Sequence, residues 1–172
     1  IDGRINLSLL NVFPQIASGD TFFGGFADVS IRLAGPNSAA RLSGTATLDN
    51  ASFATFVGSD RLMFERLQGI IRFASNQVQV DRVSGFLGGG EFVASGGAVL
   101  GSDLRPDSFR FDLTGNNITV PLPEDFITTG DAKLEISGRR FAGGGLSTLI
   151  AGRILAKRSV YTKDIDLASI IS

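Results

Sequence analysis

The chain of 172 residues contains no histidine, no cysteine and no tryptophan, and only one methionine and one tyrosine. Each absence removes chemistry. Without thiolate or imidazole there is no zinc site of the usual kind, no haem ligation and no iron–sulfur cluster. A Ser-His-Asp triad is impossible, and the commonest general base is missing. The expectation is a protein that is not an enzyme and carries no cofactor and no metal. Sixteen Lys and Arg stand against seventeen Asp and Glu, a net charge of −1. That balance lacks the basic footprint of a nucleic-acid binder, so no nucleic-acid partner is expected. No apolar run approaches the ~18 residues of a spanning helix, and no basic leader with an apolar core opens the sequence. The absence of cysteine leaves the redox compartment open. The chain opens directly in an alternating pattern and is read as one β-rich segment, residues 1–172, of a longer protein.

What is present is period two. Ile5, Leu7 and Leu9 alternate with polar neighbours, as do Val29, Ile31 and Leu33, then Phe109, Phe111 and Leu113, and Ala132, Leu134 and Ile136. Such segments are strands of a sheet with one wet face, and one-sided alternation favours antiparallel pairing. Further strands are expected near 40–48, 51–57, 61–67, 69–75, 77–84, 91–100, 117–120 and 150–157, about twelve in all. Residues 60–67 and 146–158 are helical candidates, but flanking or internal glycine favours strands at both. The fold class is all-β: an elongated, curled antiparallel sheet with negligible helix.

A small phrase recurs: apolar residue, small residue, glycine. It occurs as Leu33-Ala34-Gly35, Leu42-Ser43-Gly44, Val83-Ser84-Gly85, Leu113-Thr114-Gly115 and Ile136-Ser137-Gly138, with Ala94-Ser95-Gly96 a looser copy. Glycine at a strand end serves a tight turn, and glycine within a strand serves a bulge or close packing. The phrase reads as one repeated step of strand, tight turn, strand. Gly88-Gly89-Gly90 and Gly143-Gly144-Gly145 match no phosphate-binding loop and no calcium-binding repeat, and are read as turns. Asp164 with Asp166, and Glu124 with Asp125, are read as solvated carboxylates. The sequons at Asn6, Asn50 and Asn117 matter only in a eukaryotic secretory setting. Fourteen of fifteen aromatics are Phe, a ring without a polar handle, so the rings should point somewhere dry. The Tyr and Trp girdles of an outer-membrane barrel are lacking. The dry place is either a packed core or a groove that holds an apolar ligand.

The stretch from Leu67 to Asp81, with its Ile70-Ile71-Arg72-Phe73 and Val78-Gln79-Val80-Asp81, continues into Val83-Ser84-Gly85 and Gly88-Gly89-Gly90, then Val93 to Leu100. Together with Gly130 to Gly138 and Gly152 to Tyr161, it resembles the C-terminal region of the TamB family. That family is the inner-membrane-anchored subunit of the translocation and assembly module and belongs to the AsmA-like superfamily. The resemblance is densest over 40–167, and it departs from the family's closing pattern at Arg158-Ser159-Val160, where a glycine would stand before the last Tyr. It implies an open β-trough in the periplasm of a Gram-negative bacterium, with an apolar concave face that conducts phospholipid between the inner and outer membranes. It also implies an outer-membrane barrel as assembly partner.

Two functions of different class follow, with a third reading beside them. In the first, a groove shields acyl chains, each CH₂ withdrawn from water contributing ~0.8 kcal/mol. In the second, the open sheet edge binds a client or partner strand. In the third, the apolar face is an ordinary closed core. The expected groove face comprises Ile31, Leu33, Leu42, Ile71, Phe73, Val78, Val80, Phe109, Phe111, Leu113, Leu134 and Ile136. Arg32, Arg72, Gln79, Arg110, Asp112, Lys133 and Glu135 should point to water.

Overall fold

The computed structural model describes residues 1–12, 21–36, 41–57, 60–103, 105–122, 126–141 and 145–161. They form nine strands: β1 (Asp2–Asn6), β2 (Phe22–Ala34), β3 (Arg41–Val57), β4 (Asp60–Ser75), β5 (Gln77–Leu87), β6 (Gly90–Leu100), β7 (Pro106–Leu122), β8 (Phe126–Arg140) and β9 (Leu146–Tyr161). Each strand pairs antiparallel with the next in sequence, from β1 at one edge to β9 at the other. The sheet is single, curled and open.

The strands are fewer and longer than the twelve expected, and the reason lies in three residues. Asn50, Arg66 and Asn117 adopt left-handed backbone with φ of 51°, 51° and 55°. Each sits where the register shifts: Leu48/Ala51 in β3, Glu65/Gln68 in β4 and Gly115/Ile118 in β7. These are bulges, which bend and twist a strand without ending it. The expected pairs 40–48 with 51–57, 61–67 with 69–75, and 108–113 with 117–120 are therefore β3, β4 and β7. A second difference is at the start. Alternation through Leu9 suggested strand, but Leu7–Val12 is a 3-10 segment with Leu7 buried and Leu9 61% exposed.

The recurring apolar-small-glycine phrase is also corrected. Only Gly35 stands at a strand end; Gly44, Gly85, Gly96, Gly115 and Gly138 lie inside strands. With period two, the glycine shares a face with the apolar residue two positions earlier. The phrase thus encodes one filled and one empty position on the same face; at Gly85, Gly96 and Gly138 a side chain from a neighbouring strand lies over the gap, and at Gly115 Ile118 of the same strand does. A Cβ on Gly138 would meet the Phe109 ring at 2.3 Å, and one on Gly96 would meet Phe111 Cδ1 at 2.8 Å. Gly88-Gly89 does form a turn, with both φ positive (56° and 87°), as a tight hairpin demands.

Candidate functional site

Directly opposed residues in an antiparallel sheet point to the same side, so the register assigns the faces. One row runs Ile31, Gly44, Phe73, Val78, Ala98, Phe109, Gly138 from β2 to β8. The next runs Val29, Ala46, Ile71, Val80, Gly96, Phe111, Ile136, Ile150. A third runs Ala27, Leu48, Gly69, Val83, Ala94, Leu113, Leu134, Gly152, and Leu33 faces Leu42 beyond the first. All twelve residues of the expected apolar face therefore share one side of one sheet. Val80 and Val83 both reach it because a bulge at Asp81-Arg82 absorbs the extra residue. The expected polar partners occupy the other side, exposed except for half-buried Glu135.

Burial along this face is uneven. Leu113 is buried (6% exposed), Leu33 is 62% exposed, and the other ten of the twelve are half-buried. Val29, Ala46 and Leu113 are buried within the rows themselves, while Leu67, Leu87, Phe92, Ile118 and Thr128 are buried toward the β5–β6 hairpin tip. Phe23, Phe53, Phe64 and Phe92 form a ladder there, with ring centroids 5.5, 5.7 and 5.4 Å apart in turn. Its last step crosses β5, where Gly85 leaves room for Phe92 beside Leu67. Each such pair contributes about 0.5–1.5 kcal/mol beyond its burial. β4 and β7 run past the short hairpin on either side and together line a cavity of about 280 Å³, which includes Leu62, Leu87 and Val120. This end is closed by the sheet's own curl.

The opposite end is built differently. Arg140 lies at its rim, 23% exposed, donating to Asp103 at 3.0 Å and to the Pro106 carbonyl at 3.2 Å, with Asp107 at 3.4 Å. The Arg105 N–H, then the Arg140 guanidinium, hold the Asp103 carboxyl below its ordinary value. A charge therefore marks the rim of the apolar face, held by two carboxylates. Periodicity could not have found it, because Arg140 continues the apolar alternation of β8.

Two further features were missed at the level of sequence. A cavity of about 930 Å³ lies over the polar side, walled by the row Arg72, Gln79, Gly97, Arg110, Ser137, Leu149 and by the row next to it. Arg72 pairs with Asp81, and Arg110 with Glu135 at 2.6 Å. The second feature is that Phe22, Phe26, Phe56 and Phe86 lie on the polar side, against the expectation that every ring would be dry. Guanidinium groups cover three of them: Arg4 over Phe26 at 4.9 Å, Arg61 over Phe22 at 5.7 Å and Arg66 over Phe86 at 3.7 Å. A cation over a ring face supplies the partner that a core would otherwise provide.

Among the described residues no group of three or more carboxylates gathers as a metal site, and no helix is long and apolar enough to cross a membrane. Asp164, Asp166, Glu124, Asp125 and Gly143-Gly144 lie outside the described residues. Compared with known protein families, curated proteins and solved structures, the chain matches none.

Proposed function

We propose that this chain is a non-enzymatic β-groove segment whose apolar face shields lipid acyl chains. In the cell it would work in the periplasm as part of an inner-membrane-anchored protein of the TamB type, serving phospholipid transport and outer-membrane biogenesis. The observation that supports this reading is the set of continuous apolar rows across a one-layer sheet. Half-buried side chains such as Phe73, Phe109, Phe111 and Ile136 carry no second layer among the described residues. The eight strands from β2 to β9, at about 4.8 Å spacing, extend the longest of these rows over about 34 Å. Withdrawing a CH₂ from water contributes ~0.8 kcal/mol, so several methylenes suffice to hold a chain reversibly.

Photo-crosslinking tests the proposal. A photoreactive side chain at position 111, in protein incubated with phospholipid vesicles, should crosslink to phospholipid recoverable by mass spectrometry. Crosslinks confined to residues of the same chain would instead favour an ordinary closed core.

A further inference from the structure

The side of the sheet away from the acyl-chain face has a concavity of its own, and its lining points to a second binding site that does not rest on the lipid reading. The cavity of about 930 Å³ lies over the strands from β4 to β9. Its depth comes from small residues in register: Gly97 stands between Gln79 and Arg110, and Ser137 follows on β8. Gly97 has no side chain to fill the floor, and a Cβ there would meet the Val78 carbonyl oxygen at 2.7 Å. Three arginines line the cavity, Arg72, Arg110 and Arg139, and among the described residues no carboxylate does. In a chain of net charge −1 that is a local excess of positive charge. Asp81 and Glu135, the ion-pair partners of Arg72 and Arg110, stand outside the lining. Each takes a terminal nitrogen of a guanidinium that has five N–H donors, which steadies the arginine and leaves donors for a ligand.

Arg110 and Arg139 are diagonal neighbours. Arg110 pairs in register with Ser137, and Ser108 with Arg139, so the two arginines stand on adjacent strands with Cα atoms about 7–8 Å apart. Two guanidinium groups at that spacing reach one phosphate monoester, which carries about two negative charges and three strong acceptor oxygens. A carboxylate, with its single planar pair of oxygens, is matched by one guanidinium fork. The rest of the lining has a different chemistry. Gln77, Gln79, Ser108 and Ser137 both donate and accept, as the hydroxyl groups of a sugar do. Val99 and Leu149 offer apolar surface to the C–H face of a sugar ring. Arg72 lies three strands from Arg110, about 14 Å across the floor. We propose that this cavity binds a phosphorylated sugar, its phosphate between Arg110 and Arg139 and its hydroxyl groups over Gln79 toward Arg72. The same chemistry is offered by a free sugar phosphate and by a phosphosugar headgroup on a lipid.

Calorimetric titration of the whole chain tests this. Glucose 6-phosphate should bind more tightly than either inorganic phosphate or glucose. Arg110→Gln combined with Arg139→Gln should weaken it about tenfold or more. Lys133→Gln combined with Arg153→Gln removes the same charge from the same side, outside the lining, and should leave it unchanged. Gln79→Leu should weaken glucose 6-phosphate and not inorganic phosphate. All five side chains are exposed, so the circular dichroism spectrum should stay β-rich in every variant. Co-sedimentation with phosphatidylcholine vesicles carrying phosphatidylinositol 4-phosphate, set against the titration, tells a lipid headgroup from a free sugar phosphate. Binding of either probe that is lost with Arg110 and Arg139 supports the site. Equal loss from the two double variants, or glucose or inorganic phosphate bound as tightly as glucose 6-phosphate, would overturn the proposal. So would the absence of any binding that depends on Arg110 and Arg139. Lipid crosslinking at position 111, on the other side of the sheet, is untouched by all of these results.

Discussion

The two ends of the apolar face use the same residue types and reach different states. Toward the β5–β6 tip, Phe92 is 4% exposed and Ile118 2%, because β4 and β7 close around a hairpin that stops short of them. Toward the opposite end of the strands, Leu33 on β2 is 62% exposed, and Ile150 on the edge strand β9 is 61% exposed, and among the described residues no element returns over them. What differs is strand length relative to the neighbours: β5 and β6 span eleven residues each, β4 and β7 sixteen and seventeen. One sheet can therefore hold a folding core and a half-open apolar surface side by side, the first supplying the stability that the second lacks.

Charge insertion is the strongest way to break this comparison. Phe92→Asp places an unpaired carboxylate in the closed end and should unfold the chain, at a cost of several kcal/mol. Phe111→Asp, on the half-buried stretch, should leave the circular dichroism spectrum β-rich and lower the melting temperature far less, while abolishing lipid crosslinking. Equal loss from both would show that the face is a single core.

Truncation gives a graded version. Phe92→Ala removes a buried ring packed against Phe64 and should cost about 3–5 kcal/mol in urea unfolding. Phe109→Ala removes a half-buried ring over Gly138 and should cost less than half of that. A reversed order would move the stability to the other end.

The bulges bend the strands, so they can be tuned. Asn117→Ala keeps the space but forces a Cβ residue without a local hydrogen-bonding group into left-handed backbone, with an expected loss of about 1 kcal/mol. Asn117→Gly should cost nothing measurable, since glycine takes that conformation freely. If both variants unfold alike, the side chain rather than the backbone holds the bulge.

The smallest effect concerns pH. The Lys157 ammonium, then the Asn117 N–H, hold the Asp131 carboxyl below its ordinary value, and the contact ties the β7 bulge to the register shift opposite β9. A carboxylate whose folded pKa is depressed stabilises the fold above its unfolded value, about 3.9, and loses that contribution as pH falls through the folded one. Amide protection of β9 should hold steady from neutral pH to about 5 and decline below about 4. Asp131→Asn should remove that decline. Because the carboxylate is exposed, the change belongs to β9 and not to global stability.

Much of this was legible in the sequence, and the reason is period two. Alternation in Val29-Ser30-Ile31-Arg32-Leu33 or Phe109-Arg110-Phe111-Asp112-Leu113 admits one assignment of faces, since a strand sends successive side chains to opposite sides. The all-β class, and which residues of each strand share a face, depend on that local geometry alone; that the apolar faces of all strands meet on one side depends on the register. Gly35 and Gly44 carry the same three-residue phrase, yet one ends β2 and the other lies within β3. Only the neighbour across the ladder, Ile31 and Phe73 beside Gly44, decides between turn and gap. Asn50, Arg66 and Asn117 could likewise have ended strands; continued pairing on both sides made them bulges, so nine strands replaced twelve. Which part of the apolar face is buried and which Phe lies beneath an arginine depend on residues far apart in the chain. Period two carries no record of those distances, and tertiary structure alone supplied them.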